Sequence, residues 1–349
     1  MVKKFSSSKT NEFWMKRALE LARKAGEGTR PNPRVGAVLV KGGRIVGAGY
    51  HRKAGLPHAE IEAIQQAGVK AKGAKLFVTL EPCSTHGRTH PCTDRIVASG
   101  IREVVYGAGD VDRRNAGSAE RILSRKKIRV VKGVLREECE KLNEDYRHWT
   151  RKREPWVILK LAMTMDGYLV VPGRRWVTGE LARAEVQKLR AGCDAVLVGA
   201  ETVRKDNPRL TVRGTFRHSA ESRNVGEGQP WRVVVTRSGK LPNGANLFRD
   251  LQKERTLVYR RKKWSEVLKD LHRRGVSRLL VEGGAEVAES LVKAGKVNEV
   301  VIYLAPILVG ERRKGLPQIE GWADWGWREA VTSSAGEDLC LRGKLGEAK

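Results

Sequence analysis

Apolar positions along the chain change period repeatedly. Over residues 11–25 (NEFWMKRALELARKA), Phe13, Trp14, Ala18, Leu21 and Ala22 recur at the spacing of a helix face. VGAVLV (35–40) and RIVGAGY (44–50) read as strands, joined at Gly42-Gly43 as a hairpin. Pro57 followed by Ile61 and Ile64 marks a helix start, and AKLFVTL (74–80) has the β-branched and aromatic content of a buried strand. A second helix start follows at Pro91-Cys92, then a strand at 103–108, a helix near 117–126, a strand at 128–133 and a charged helix over 134–154. Helices alternating with strands predict an α/β layered sheet. Pro155, opening a new apolar strand at 156–162, sets a boundary, so residues 1–10 are expected as a disordered tail, 11–153 as one domain and 154–349 as another.

Composition adds exclusions. The N-terminus MVKKFSSSKT has no apolar core of a signal peptide, and the longest apolar run, 300–309, is about half a membrane span and contains Pro306. No membrane association is expected. Two cysteines suit a metal, and the remaining Cys139, Cys193 and Cys340 form no even disulfide framework, which points to a reducing, cytoplasmic setting. The formal charge of +28 exceeds what a phosphorylated small molecule requires, yet the basic clusters at 151–153, 260–263 and 312–314 are short and lack interleaved aromatics. They read as solvated surface, and a nucleic-acid partner is not expected.

The chemistry concentrates between Pro57 and Asp94. A lone histidine or cysteine is ordinarily structural, but His58, Cys83 and Cys92 together supply an imidazole and two thiolates, a set suited to zinc. Three protein ligands leave one position open, as in a catalytic site. Glu60, two residues after the histidine, is placed to move protons. Since i and i+2 do not share a helix face, His58 and Glu60 serve one centre only where the chain enters a helix.

CSTHGRTHPC (83–92), RPNPRVGAVLV (30–40) and GYHRKAGLPHAE (49–60) resemble the bifunctional deaminase/reductase family of riboflavin biosynthesis. KLAMTMDGYL (160–169), the run 174–213 and the run 279–310 resemble the reductase half of the same family. The resemblance implies a cytidine-deaminase-like three-layer α/β domain followed by a dihydrofolate-reductase-like α/β domain. It further implies zinc and NADPH as cofactors, a phosphorylated pyrimidine substrate, and a homo-oligomer formed through the reductase domain.

Carried over by position, Asn32, His51 and Arg88 would contact the deaminase substrate. Ala162, Trp176, Thr178, Thr202, Asp206, Gly284 and Ala285 would contact NADPH, and Arg174, Arg190, Leu210, Arg213 and Glu282 the sugar phosphate. On the residues alone, Trp176 reads as a core aromatic and Arg190 as a solvated helix face. Gly283-Gly284 between a strand and a helix would expose backbone N–H groups to a phosphate, although no G-x-G-x-x-G is present. The chain departs from the family at His90, at Asp112 and at Arg174. His90 could join the metal, and Asp112 could change how the base or phosphate is held. These departures keep open a relative acting on another phosphorylated pyrimidine; an RNA-base deaminase is the remaining alternative.

Overall fold

The computed structural model describes residues 7–86, 90–213, 229–310 and 316–346. The chain divides between Lys152 and Arg153 into two compact units.

Unit 1 is built on a five-stranded sheet in the order β2-β1-β3-β4-β5: β1 (Gly36–Lys41), β2 (Arg44–Tyr50), β3 (Lys75–Leu80), β4 (Glu103–Ala108) and β5 (Arg129–Lys132). β1 runs antiparallel to both neighbours, and β3, β4 and β5 are parallel. Gly42 and Gly43, both at positive φ, close the two-residue hairpin turn that the Gly-Gly pair predicts. Helices α1 (Ser7–Lys24), α2 (Ala59–Ala67), α3 (Cys92–Ala98) and α4 (Ser118–Arg125) cover the sheet.

Three glycines set the depth of this packing. A Cβ on Gly36 would lie 2.1 Å from the Ala18 carbonyl of α1, and one on Gly49 would lie 2.7 Å from the Ala59 carbonyl of α2. Gly47 faces α2 in the same way. Gly49 pairs with Ala37, the neighbour of Gly36, and side chains alternate along a strand. Thus α1 and α2 lie on opposite faces, giving three layers, and α2 sits close enough to β2 to bring its first turn to the strand ends.

Two elements differ from the sequence pattern. Helix α1 begins at Ser7, so residues 7–10, expected in a tail, are helical. Its buried stripe is Met15, Ala18, Leu19 and Ala22, while Phe13 is exposed, because 15, 18, 19 and 22 follow the helical period more closely than the set with Phe13. The charged stretch after β5 forms two helices, α5 (Arg136–Leu142) and α6 (Glu144–Lys152). Asn143 interrupts them: its amide accepts from Arg34 N–H at 2.8 Å and donates to Arg34 O at 2.9 Å. A side chain that pairs with distant backbone in this way competes with the helix ladder.

Unit 2 carries an eight-stranded sheet among its described residues, in the order β12-β13-β11-β6-β10-β7-β8-β9. Its strands are β6 (Trp156–Thr164), β7 (Ala195–Gly199), β8 (Trp231–Thr236), β9 (Thr256–Arg260), β10 (Arg278–Val281), β11 (Glu299–Ala305), β12 (Trp327–Ala335) and β13 (Asp338–Leu345). All pairings from β11 to β9 are parallel, and β13 and β12 add an antiparallel edge. The helices among the described residues are α7 (Glu180–Ala191), α8 (Ala200–Asp206), α9 (Asn246–Arg249), α10 (Trp264–Arg273) and α11 (Ala285–Lys293). The apolar run at 300–309 is mostly strand β11 in the sheet interior. Trp322, Trp325 and Trp327 pack on the core. No helix among the described residues is long and apolar enough to cross a membrane, and all five cysteines are free thiols.

Candidate active sites

In unit 1, β3 ends at Leu80 and the chain leaves the sheet through Glu81-Pro82-Cys83. His58 occupies the N-cap of α2, and Cys92 is the first residue of α3. The helix entry that the His58/Glu60 spacing demands is therefore present. His58 Nδ1 lies 3.2 Å from Cys92 Sγ and 3.5 Å from Cys83 Sγ, and the three ligand atoms all lie within 4.8 Å of one another. These separations compare with the edges of a tetrahedron whose metal–ligand bonds are about 2.0–2.3 Å, roughly 3.3–3.8 Å. The donor set and its spacing both fit zinc.

The electrostatics fit as well. Cys92 hydrogen-bonds Cys83 and draws that thiol down, with His58 adding to the effect, while the same bond and burial push the Cys92 thiol up. Metal binding by thiols requires that they lose their protons, which the lowered Cys83 thiol favours. Glu60 is buried and its carboxyl is raised to about 7, chiefly by loss of solvent. A carboxyl so poised both takes and gives a proton near neutrality.

His51 is buried with its ring 5.2 Å from that of His58. Its Nδ1 lies 3.2 Å from Pro57 O, which can only accept, so Nδ1 carries the proton and Nε2 accepts from Asn32 Nδ2 at 3.3 Å. The imidazole is held neutral, burial lowering its pKa, and it turns the Asn32 carbonyl oxygen away from itself. Arg88 lies outside the described residues. His90 is exposed, its ring 5.7 Å from His86, and it stands apart from the three metal donors. Asp112 is taken up by Arg114, whose Nε lies 3.0 Å from Oδ2, an engagement that lowers the carboxyl pKa.

In unit 2, Arg190 of α7 is not a solvated helix residue. Its Nε and Nη2 donate to Glu282 Oε1 and Oε2 at 2.6 and 2.8 Å, a buried two-bonded ion pair just beyond the end of β10. Burial works to raise Glu282, but Arg190 overrides it and holds the carboxyl below its ordinary range, with smaller pulls from Lys160 and Arg213. Lys160 opens the run KLAMTMDGYL, where no role is expected of it. It lies in β6 with its amine fully buried, and burial lowers its pKa. The signal was a lone lysine inside the apolar run WVILKLAMT. Ala162 shares its face of the strand. Arg190 Nη1 also reaches Thr211 O at 3.4 Å, which ties in the loop bearing Leu210 and Arg213. The Leu210 side chain is buried in the core, so that loop offers only its backbone at this position.

The cofactor candidates fall on several elements. Trp176 is 53% exposed rather than a core aromatic, and carries the guanidinium groups of Arg175 and Arg183 over its ring at 5.2 and 5.4 Å. Thr178 precedes Gly179, whose N–H donates to Asp338 Oδ2 at 2.8 Å. Thr202 and Asp206 lie one turn apart on α8. Gly284 caps α11 and Ala285 is its first residue. A Cβ on Gly283 would lie 2.6 Å from Val287 Cβ, whereas Gly284 faces open space, so the second glycine leaves the helix N-terminus accessible. Dinucleotide phosphates fit such an approach. Arg174 is exposed.

Fold and site together define a zinc deaminase unit joined in one chain to a dinucleotide-dependent reductase unit. Residues 8–108 match the cytidine and deoxycytidylate deaminase zinc-binding region, and residues 155–341 the RibD C-terminal domain. The riboflavin biosynthesis protein RibD of Aquifex aeolicus (strain VF5) is 39% identical over 94% of this chain and 96% of its own length. RibD of Escherichia coli (strain K12) is 36% identical over 95% and 98%. A solved structure of Acinetobacter baumannii RibD superposes with a TM-score of 0.85 at 32% identity, covering 98% of this chain and all of that one. The chain belongs to the RibD family: it is a bifunctional deaminase/reductase of riboflavin biosynthesis that uses zinc and NADPH.

Proposed function

We propose that the first unit deaminates 2,5-diamino-6-(5-phosphoribosylamino)pyrimidin-4(3H)-one and that the second reduces the ribosyl group of the product to ribityl. The convergence of His58, Cys83 and Cys92 beside the buried Glu60 is the observation that carries this reading. His58, Cys83 and Cys92 would hold the zinc, which when bound acts as a Lewis acid that makes water nucleophilic near neutral pH. Glu60 takes a proton from the water that adds to the amino-bearing carbon. It passes that proton to the adjacent ring nitrogen and then carries the proton of the new hydroxyl to the amine, so that the C–N bond breaks, ammonia leaves and a carbonyl remains. Asn32, fixed by His51, presents its carbonyl oxygen to the ring substituents.

NADPH supplies the hydride for the second step, to C1 of the ribose, whose bond to the ring oxygen breaks as that oxygen gains a proton. Ala162, Trp176, Thr178, Thr202, Asp206 and the start of α11 would hold the dinucleotide. Arg213, Arg174 and the Arg190–Glu282 pair would orient the phosphorylated sugar. Arginine forks match a phosphate dianion in charge and shape. The functional boundary is placed at residues 153/154. Asp112, already engaged by Arg114, favours no change of substrate.

Incubating purified protein with the diaminopyrimidinone ribotide should release ammonia without NADPH. Cofactor oxidation should follow only when NADPH is added. Oxidation with no prior ammonia release would refute the order, and neither signal would refute the substrate.

A further inference from the structure

The thiolate of Cys83 sits on chain that has already left β3, so the sheet ladder does not fix it. Asn115 does. Its buried carbonyl oxygen accepts from Ser84 N–H at 3.1 Å, Ser84 Oγ at 3.4 Å and Thr85 Oγ1 at 3.0 Å, immediately after the cysteine. The amide nitrogen donates to Asp110 Oδ2 at 3.0 Å, and Asp110 Oδ1 in turn accepts from the Tyr146 hydroxyl of α6 at 3.0 Å. On the other flank, the buried Glu81 accepts N–H groups from Asp110, Gly117 and Ala119, each at 3.2 Å. Both sides of Cys83 are thereby bonded to one stretch, the loop 109–117 and the first turn of α4. The amide is chemically specific: a carboxylate at position 115 could accept the same donors but would face Asp110 with no proton to give.

We propose that Asn115 is a positioning residue for the deaminase centre, anchoring the chain after Cys83 so that its sulfur meets the metal at the correct distance from His58 and Cys92. This rests on the reading of Cys83 as a ligand. Groups that orient metal ligands act through geometry, and their loss typically weakens metal binding about 10–100-fold.

The test uses the full chain reconstituted with cobalt(II), whose thiolate-to-metal absorption reports the ligand set independently of turnover. N115L and N115D should each raise the cobalt dissociation constant about 10–100-fold, shift the thiolate band and lower ammonia release, while NADPH-dependent reduction of supplied deaminated product keeps its rate. Parent affinity and spectrum in N115L would overturn the proposal. If N115L does not fold, judged by its thermal melt, S84A/T85V removes two donors and spares the bond from Asn115 to Asp110. It should weaken cobalt several-fold, and parent affinity there would equally overturn it. C83S separates the two readings: an unchanged thiolate band in C83S refutes the ligand assignment itself, whereas loss in C83S with none in N115L refutes only the role of Asn115.

Discussion

Cys83 and Glu282 occupy equivalent places in their units, each just past the carboxyl end of an interior parallel strand, where α/β sheets commonly place their chemistry. What surrounds them is opposite in kind. Around Cys83, two helix starts from the same short stretch of chain bring an imidazole and a second thiol, and the unsatisfied demand is for a cation. Around Glu282, an arginine from α7 and a buried lysine from β6 already supply positive charge, so the carboxylate is paired within the protein itself. The first centre is completed by an ion from outside. The second has its carboxylate already paired within the chain.

This contrast can be sharpened by removing the groups that define each centre. The largest effect is expected for Glu60→Gln, which keeps shape and ligands but cannot take a proton. Ammonia release should fall about 10²–10⁴-fold, with metal content retained and NADPH-dependent reduction of supplied deaminated product unchanged; an equal fall in that reduction would break the separation of the two centres. Next comes Arg190→Ala, which strands a buried carboxylate and should cost unit 2 about 3–5 kcal/mol in denaturant unfolding. The same pair sets an acid limit. The folded pKa of Glu282 lies below its ordinary 4.5, so its contribution is full above that pH and is lost as pH falls through the folded value. Arg190→Met with Glu282→Leu should abolish that slope.

The smallest effect is expected for Lys160→Met. A lysine whose folded pKa is depressed below 10.5 costs stability, and the cost declines as pH climbs from the folded value towards 10.5, because the unfolded chain binds the extra proton. The substitution should stabilise unit 2 at neutral pH by about 1 kcal/mol, flatten that pH dependence, and slow reduction. Destabilisation on calorimetry would show that Lys160 is a structural cation and not a strained one.

Residue type and local spacing were enough to expect the grouping of His58, Cys83 and Cys92 that the fold brings together, because they lie near element starts marked by Pro57 and Pro91. The hairpin at Gly42-Gly43 and the alternation of strands and helices were legible for the same reason: turn conformation and burial period act over a few residues. The Arg190–Glu282 pair, the exposure of Trp176, the break of the charged helix at Asn143 and the anchoring of Cys83 by Asn115 were decided only by the tertiary structure. Each depends on a partner far away in the chain, and only the packed sheet and its loops determine which distant groups meet. An arginine on a helix has the same local pattern whether it ends in water or against a buried carboxylate. The energy that distinguishes the two comes from burial and a partner, which spacing along one segment does not encode.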